Sequence, residues 1–314
     1  MALGTGTYYN HTSSGDDAIV LWTELGDNTE LNFAIIKGDE NSGGGVNDND
    51  TNIYALTLET KAGGAALSGD ISVLYDDDET GDAQDLDLWN LGLRAGLDLS
   101  GVGVNVGCDL QSGTIENFRD SGTKDMDLSG FQCQIKANTK IGDVDVHAGF
   151  AYGSGDDIDS VDDYEGFITS LSAGGNIGTF VYDNTVATAA QKSLEEAGTV
   201  SSTYGDGSST NGLANTWYLN VGATTNITPE VAVNAELFFL QASEKVANNT
   251  PTATLDDKDI GVELDGKITY QIDTALAWYL ESGILFAGDF YKNITDGVSP
   301  DNVWRVRQGL VLDF

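Results

Sequence analysis

The sequence predicts an all-β protein, a transmembrane antiparallel up-and-down β-barrel of about sixteen strands, with fourteen as the alternative. Apolar and polar residues alternate in many segments of about ten residues, the length that a tilted strand needs to cross a bilayer. Short turns and long polar connectors follow each other along the chain, and large aromatic residues fall at two levels of the predicted strands. All 314 residues are predicted to form a single domain.

The segment "LDLWNLGLRAGLDLS" shows the alternation. Trp89 and Leu91 fall on one face, and Asn90 and Arg94 fall on the other. The chain ends in the same pattern, "VWRVRQGLVLDF", with Gln308 as the exception on the apolar face. We expect the apolar faces to meet lipid, and the last strand to close on the first so that no edge remains. An alternating final strand that ends in Phe resembles the C-terminal signal of bacterial outer-membrane proteins.

The connectors indicate how the barrel is oriented. Short turns are predicted at Gly26–Asn28, Ala62–Gly64, Ser100–Gly101, Gly142–Asp143, Thr228–Glu230 and Asp273–Thr274. Long acidic stretches lie between them, at 39–50, 76–84, 112–126, 154–164, 188–214, 242–258 and 291–301. This predicts short periplasmic turns and long extracellular loops. Residues 165–187 form either two further strands or an inward-folded loop. The loop 188–214, or the stretch before it, would narrow the pore.

Aromatic side chains predict two membrane interfaces. One level, near the long loops, contains Tyr54, Tyr75, Trp89, Tyr152, Trp217, Phe290, Tyr291 and Trp304. The opposite level contains Tyr270, Trp278 and Phe314.

The composition excludes several classes of protein. With 50 acidic and 14 basic residues, a formal net charge of −36 opposes binding to nucleic acid. No apolar run is long enough for a transmembrane helix. The start, "MALGTGTYYN", lacks the charged and apolar regions of a signal peptide. If the protein is exported, we expect this to be a mature or trimmed form, located in the outer membrane of a Gram-negative bacterium.

One segment carries a family resemblance. In "DKDIGVELDGKITYQIDTALAWYLESGILFAGDFYKN", residues 257–293, a G-x-E-L-D strand precedes an aromatic strand that ends in G-D-F. This segment resembles the C-terminal hairpin of the alginate-export-like porin group. An alginate exporter would line its pore densely with arginine, but this chain has only Arg94, Arg119, Arg305 and Arg307. That departure argues against export of a polyanion.

The predicted polar faces give a set of pore-lining residues with mixed charge. They are Arg94, Asp98, Asp109, Lys136, Lys140, Asp145, His147, Glu236, Glu263, Asp265, Lys267, Glu281, Arg305 and Arg307. Opposed charges could create a transverse field that selects small hydrated solutes. They could equally be ion pairs of the wall with little selectivity. The acidic excess predicts a modest cation preference, limited by screening.

The segment "DDDETGDAQDLD" places oxygen ligands at offsets similar to those of an EF-hand loop. Its candidate calcium ligands are Asp76, Asp78, Thr80, Asp82 and Asp87. The alternative is a solvated acidic loop, and no other cofactor is expected. Divalent ions could also bridge the acidic loops to lipopolysaccharide.

The two cysteines, Cys108 and Cys133, fall on the lipid faces of neighbouring predicted strands. Directly opposed residues of antiparallel strands can form a disulfide, and an oxidising periplasm would permit it. Two free thiols are the alternative.

An enzyme is not expected. Asp145 and His147 share a strand face, but no nucleophile motif accompanies them, and His11 is the only other histidine. We therefore predict a porin for passive diffusion of small hydrophilic solutes or ions, in contact with outer-membrane lipid and lipopolysaccharide, with a homotrimer as one candidate assembly. The alternatives are a non-transporting surface scaffold or adhesin with cation-binding loops, and a secreted soluble β-protein.

Overall fold

The computed structural model describes residues 17–40, 49–78, 86–116, 125–156, 163–168, 177–183, 213–245, 257–293 and 301–313. These ranges contain one sheet of fifteen strands. The long strands are β1 (Asp17–Glu24), β2 (Thr29–Glu40), β3 (Asn49–Ala62), β4 (Ala65–Asp78), β5 (Leu86–Asp98), β6 (Val102–Ile115), β8 (Phe131–Ile141), β9 (Val144–Gly153), β11 (Thr216–Thr228), β12 (Val231–Ala242), β13 (Asp259–Gln271), β14 (Leu276–Ala287) and β15 (Val303–Leu312). Two short strands, β7 (Met126–Leu128) and β10 (Asp163–Tyr164), complete the set.

The long strands pair antiparallel with their neighbours in chain order, from β1 to β15. The short strand β7 pairs with β6 and, in parallel, with β10. The predicted up-and-down architecture is therefore confirmed. Within the described ranges β1 pairs with β2 and β15 with β14, and no β1–β15 ladder is present, so closure of the last strand on the first stays a prediction.

All six predicted short turns connect neighbouring long strands at one edge of the sheet. Between β5 and β6, Ser100 and Gly101 have φ values of 59° and 92°, the left-handed conformation that a tight two-residue hairpin requires. Asp98 supports this turn, because its carboxylate accepts a hydrogen bond of 2.9 Å from the Gly101 backbone N–H. The strand ends that lead into the long connectors lie at the opposite edge. A 3₁₀ helix, Asp289–Asn293, follows β14, and no helix among the described residues is long and apolar enough to cross a membrane.

The apolar face of the sheet points outward. Leu91 is 45% exposed and Leu219 is 48% exposed, whereas the polar Asn90, which directly precedes Leu91 in β5, is fully buried. A soluble barrel would show the reverse, with leucines inside. The outer surface is therefore suited to hydrocarbon, as the alternation predicted.

The predicted two strands in 165–187 are absent from the described parts of that stretch, 165–168 and 177–183. Instead, 177–183 folds onto the inner face and contacts β11, β13 and β15. Contact of one short segment with three strands requires a concave sheet. The backbone N–H groups of this segment bond to carboxylates rather than to a neighbouring strand. The inward-folded alternative is therefore the one observed, and the described chain has thirteen long strands.

Apolar side chains fill the inner face near the long connectors. The largest cluster joins the inward segment to β11–β14 and includes Phe180, Val181, Tyr218, Phe238, Leu240 and Leu285. Phe290 and Tyr291 are buried in it, so their predicted place in the outer aromatic level is wrong; the 3₁₀ helix turns them inward.

A second cluster packs Tyr164 and Ile168 against β4–β6. Gln111 fixes this contact, because its side-chain amide donates to the Ile168 carbonyl oxygen at 2.7 Å and accepts from the Ile168 N–H at 2.8 Å.

Other aromatic residues occupy the predicted outer levels. Tyr54, Trp89 and Trp304 are exposed on the outside. At the opposite level, Tyr270 lies directly across from Trp278. Phe314 lies outside the described residues.

Candidate functional site: the inner wall

Charged residues of β4, β5 and β6 form a network on the inner wall, called here the arginine network. The Arg94 guanidinium donates to Asp70 on one side and to Asp109, at 2.8 Å, on the other. Asp109 also accepts from Asn90 at 3.2 Å and from Gln132 at 2.5 Å. Both carboxylates are almost completely buried. The network leaves two negative charges against one positive charge.

A glycine makes room for this network. Gly92 lies directly between Asp70 and Asp109 in the sheet register. A Cβ at this position would lie 2.3 Å from an Arg94 nitrogen and 2.6 Å from each carboxylate. The Arg94 guanidinium therefore lies directly over Gly92, in the space that a side chain at position 92 would occupy.

Two carboxylates of β13 hold the inward segment 177–183. Glu263 accepts from the backbone N–H groups of Val181 at 2.6 Å and Tyr182 at 2.8 Å. Asp265 accepts from the Phe180 N–H at 3.0 Å. These two predicted pore-lining residues are therefore buried anchors of the segment rather than groups exposed to a pore.

Two basic residues of β15 lie against Phe180 of the inward segment, and a basic residue of β13 lies against a ring of β14. The Arg305 and Arg307 guanidinium groups lie 4.9 and 5.3 Å from the centre of the Phe180 ring. Arg305 also donates to the Phe180 carbonyl oxygen at 3.4 Å. Lys267 lies 5.2 Å from the centre of the Tyr279 ring. This part of the inner wall therefore alternates cations with aromatic rings.

Arg307 also forms an ion pair with Glu281 on β14, with N–O distances of 2.5 and 3.2 Å. The arginine side chain is about half exposed, in contrast to the buried carboxylates of the arginine network.

Asp183 closes the inward segment on itself. Its carboxylate accepts from the N–H groups of Ile177, Gly178 and Thr179 at 2.9–3.3 Å. Burial raises the pKa of Asp183 from 3.8 to about 7, although these hydrogen bonds act in the opposite direction. The segment therefore contains a carboxyl group that titrates near neutral pH.

Four further predicted pore-lining residues form two pairs elsewhere in the wall. His147 bonds to Glu236 at 2.8 Å across Gly222. Lys140 and Asp145 form an exposed pair at 3.7 Å near the short turns. The structure thus joins most predicted residues in pairs within the wall rather than in one central cluster.

A cavity of about 790 Å³ opens at the short-turn end. Arg94 and Lys136 lie in its lining, together with carboxylates of the first three strands. Glu24, Glu30 and Glu59 are directly opposite one another across β1, β2 and β3. We call these three residues the glutamate row. Like charges that face each other directly are destabilising, which makes this row unusual for a purely structural wall.

The calcium prediction falls partly outside the described residues. Asp76 and Asp78 lie at the end of β4 and Asp87 in β5, whereas Thr80 and Asp82 are in the undescribed stretch. Calcium binding stays a prediction.

Cys108 and Cys133 are directly opposite each other in β6 and β8, with a Cα–Cα distance of 4.1 Å, and their sulfur atoms are bonded.

Sequence reasoning missed Asp183, Asn90 and Gln132. All three are polar and near apolar residues in the chain, but their roles depend on which strand or segment lies opposite. Glycines offered a signal, since Gly92, Gly222 and Gly283 each lie on a polar face where a bulky charged neighbour needs space.

Comparisons with known proteins support the fold. No family model matches the chain, and no curated protein matches its sequence. Among solved structures, Pseudomonas aeruginosa OccK11 (OpdR) matches with a TM-score of 0.51 at 12% identity, covering 94% of this chain and 69% of that one. P. aeruginosa OccK5 (OpdH) matches with a TM-score of 0.50 at 9% identity, covering 95% and 71%. The chain has the fold of a bacterial outer-membrane β-barrel. The copper transporter OprC also matches this barrel, with a TM-score of 0.50 at 12% identity, covering 94% of this chain and half of that one.

Proposed function

We propose that the barrel is an outer-membrane porin through which small hydrophilic solutes and ions diffuse passively. The observation that carries this proposal is the division of the wall, with an apolar outer belt and a charged inner face around a cavity of about 790 Å³. Charged walls tolerate hydrated solutes, whereas a dry core would exclude them. The resemblance of the fold to porin structures agrees with this function.

We further propose a modest preference for cations. The glutamate row lines the cavity at the short-turn end, and the arginine network behind it has a net negative charge. Together they would enrich cations at this mouth of the pore, within the screening length of about 8 Å at physiological salt.

Planar-bilayer recording tests both proposals. We expect discrete conductance steps from purified barrels, and a reversal potential in a KCl gradient that shows K⁺ to be more permeant than Cl⁻. Glu24→Gln/Glu30→Gln/Glu59→Gln should move this potential toward zero. The matched control Glu116→Gln/Asp125→Asn/Asp127→Asn removes three exposed charges at the long-connector edge and should move it less. Equal shifts would contradict the assignment of selectivity to the glutamate row.

A scaffold or adhesin is the second candidate. The apolar clusters that fill the inner face near the long connectors favour it, because they narrow the passage on that side. A barrel that inserts into bilayers, resists proteases and yet gives no conductance would support the scaffold and overturn the porin.

The family group, the oligomeric state and the ligands of the acidic loops are also proposals. Membership of the alginate-export-like group rests on residues 257–293, and a homotrimer would be detected by mass measurement in detergent. Calcium or lipopolysaccharide at the acidic loops would be detected by binding assays with each ligand. Catalysis is not proposed, because His147 bonds to Glu236 and no nucleophile motif accompanies it.

A further inference from the structure

The disulfide lies on the outer face of the barrel. Cys108 lies on the same face of β6 as the exposed apolar residues Val106 and Leu110. Cys133 lies on the same face of β8 as the exposed residues Phe131 and Ile135. The neighbouring inward residues, Asp109 and Gln132, are fully buried on the opposite side of the sheet. In the membrane, the two sulfur atoms therefore face lipid rather than water.

Formation and exchange of a disulfide require a thiolate. An ionised group is strongly disfavoured in hydrocarbon. Water-soluble redox proteins also cannot reach a side chain that faces the bilayer core. Neither formation nor reduction of this bond is therefore compatible with the inserted barrel.

We propose that the Cys108–Cys133 bond is made before membrane insertion, in an aqueous oxidising compartment, by a thiol oxidase that carries a reactive disulfide. One cysteine thiolate attacks a sulfur of the oxidase disulfide and forms a mixed disulfide. The thiolate of the second cysteine then attacks the sulfur of the first cysteine in that mixed disulfide and releases the oxidase as a dithiol. Two electrons pass to the oxidase, and the two protons lost by the cysteines balance those gained by its thiols.

The bond then links β6 to β8 in register before the barrel exists. The two cysteines are 25 residues apart, and the chain between them contains β7 and the undescribed stretch 117–124. Since a shift of one residue would reverse the faces of one strand relative to the other, this link keeps the apolar residues of β6 and β8 on the same face. The barrel enters the membrane with this hairpin already fixed.

The native oxidised protein provides the first test, since it needs no substitution. Barrels folded into phosphatidylcholine liposomes and chains unfolded in urea are treated with a charged, membrane-impermeant phosphine, and free thiols are counted by alkylation and mass measurement. We expect reduction to be at least tenfold slower in the folded barrel. A difference smaller than tenfold would overturn the proposal.

Single-cysteine variants test the direction of the thiols. Cys108→Ser leaves Cys133 alone, and Lys136→Cys in a Cys108→Ser/Cys133→Ser background places one thiol on the inner face of the same strand. A membrane-impermeant maleimide should label the Lys136→Cys variant at least tenfold faster than Cys108→Ser. Labelling of the two variants at similar rates would refute a lipid-facing disulfide, whether or not the barrel conducts ions.

Discussion

The inner wall of β4–β6 and that of β13–β15 stabilise buried carboxylates in different ways. In the first, Asp70 and Asp109 share the guanidinium of Arg94, so that a cation of the wall itself offsets one of the two negative charges. In the second, Glu263 and Asp265 bind backbone N–H groups of a segment that comes from a connector. The same alternation in sequence therefore produces a self-contained wall in one region and a docking surface in the other.

The largest effect is expected from the docking surface. Glu263→Leu/Asp265→Leu would leave three buried N–H groups without acceptors, at about 1–3 kcal/mol each. We expect the inward segment to be released and single-channel conductance to rise. Glu281→Leu removes a carboxylate that bonds to Arg307 instead, so its conductance should change less; a rise as large as in the double variant would refute the anchoring role.

In the self-contained wall, Arg94→Gln would leave two buried carboxylates without their cation. Breaking a buried ion pair costs about 3–5 kcal/mol, so unfolding by urea should begin at a clearly lower concentration. The inward segment should stay docked, because it does not contact this network. Restored stability in Arg94→Gln/Asp70→Asn/Asp109→Asn would confirm that charge imbalance, rather than lost packing, is the cause.

The inward segment should also respond to pH. Asp183 has a pKa raised to about 7, so its contribution to stability is complete below the unfolded value near 3.8 and is lost as the pH rises through 7. The full difference is on the order of 4 kcal/mol. Conductance measured from pH 5 to pH 8 should therefore increase as the segment loosens, and Asp183→Asn should flatten that profile. An unchanged profile in the variant would assign the response to another group.

A smaller effect is expected at the glycine that accommodates Arg94. Gly92→Ala places a Cβ against the Arg94 guanidinium, which must then move away from Asp70 and Asp109, and we expect a loss of stability of about 1 kcal/mol from the weakened hydrogen bonds. Gly96→Ala is the matched control on the same face of β5, because its nearest contact would be 3.1 Å. Thermal unfolding in detergent should separate the two variants.

The smallest effect is expected from Arg307→Gln. This arginine is about half exposed and pairs with Glu281 at the surface of the inner wall. Exposed pairs contribute about 0–1 kcal/mol, so stability should hardly change even though the same substitution at Arg94 is severe. A loss comparable with that of Arg94→Gln would show that burial does not distinguish the two walls.

Sequence alternation predicted the strands, the six short turns and the orientation of the faces, because each depends on residues close together in the chain. The inward course of 177–183 could not be chosen from sequence. "TFVY" is as apolar as a membrane strand, and its docking depends on Glu263 and Asp265, which lie more than 80 residues later. The same limit applies to Phe290 and Tyr291, which were assigned to an outer level by position but are turned inward by a short helix.

The Gln111 side chain forms hydrogen bonds with both the backbone N–H and the backbone carbonyl oxygen of Ile168, a single residue of another segment. Because both bonds go to backbone atoms, this contact does not depend on which side chain the segment has at position 168. The segment 163–168 could therefore change in sequence during evolution while the strands that it packs against keep their register.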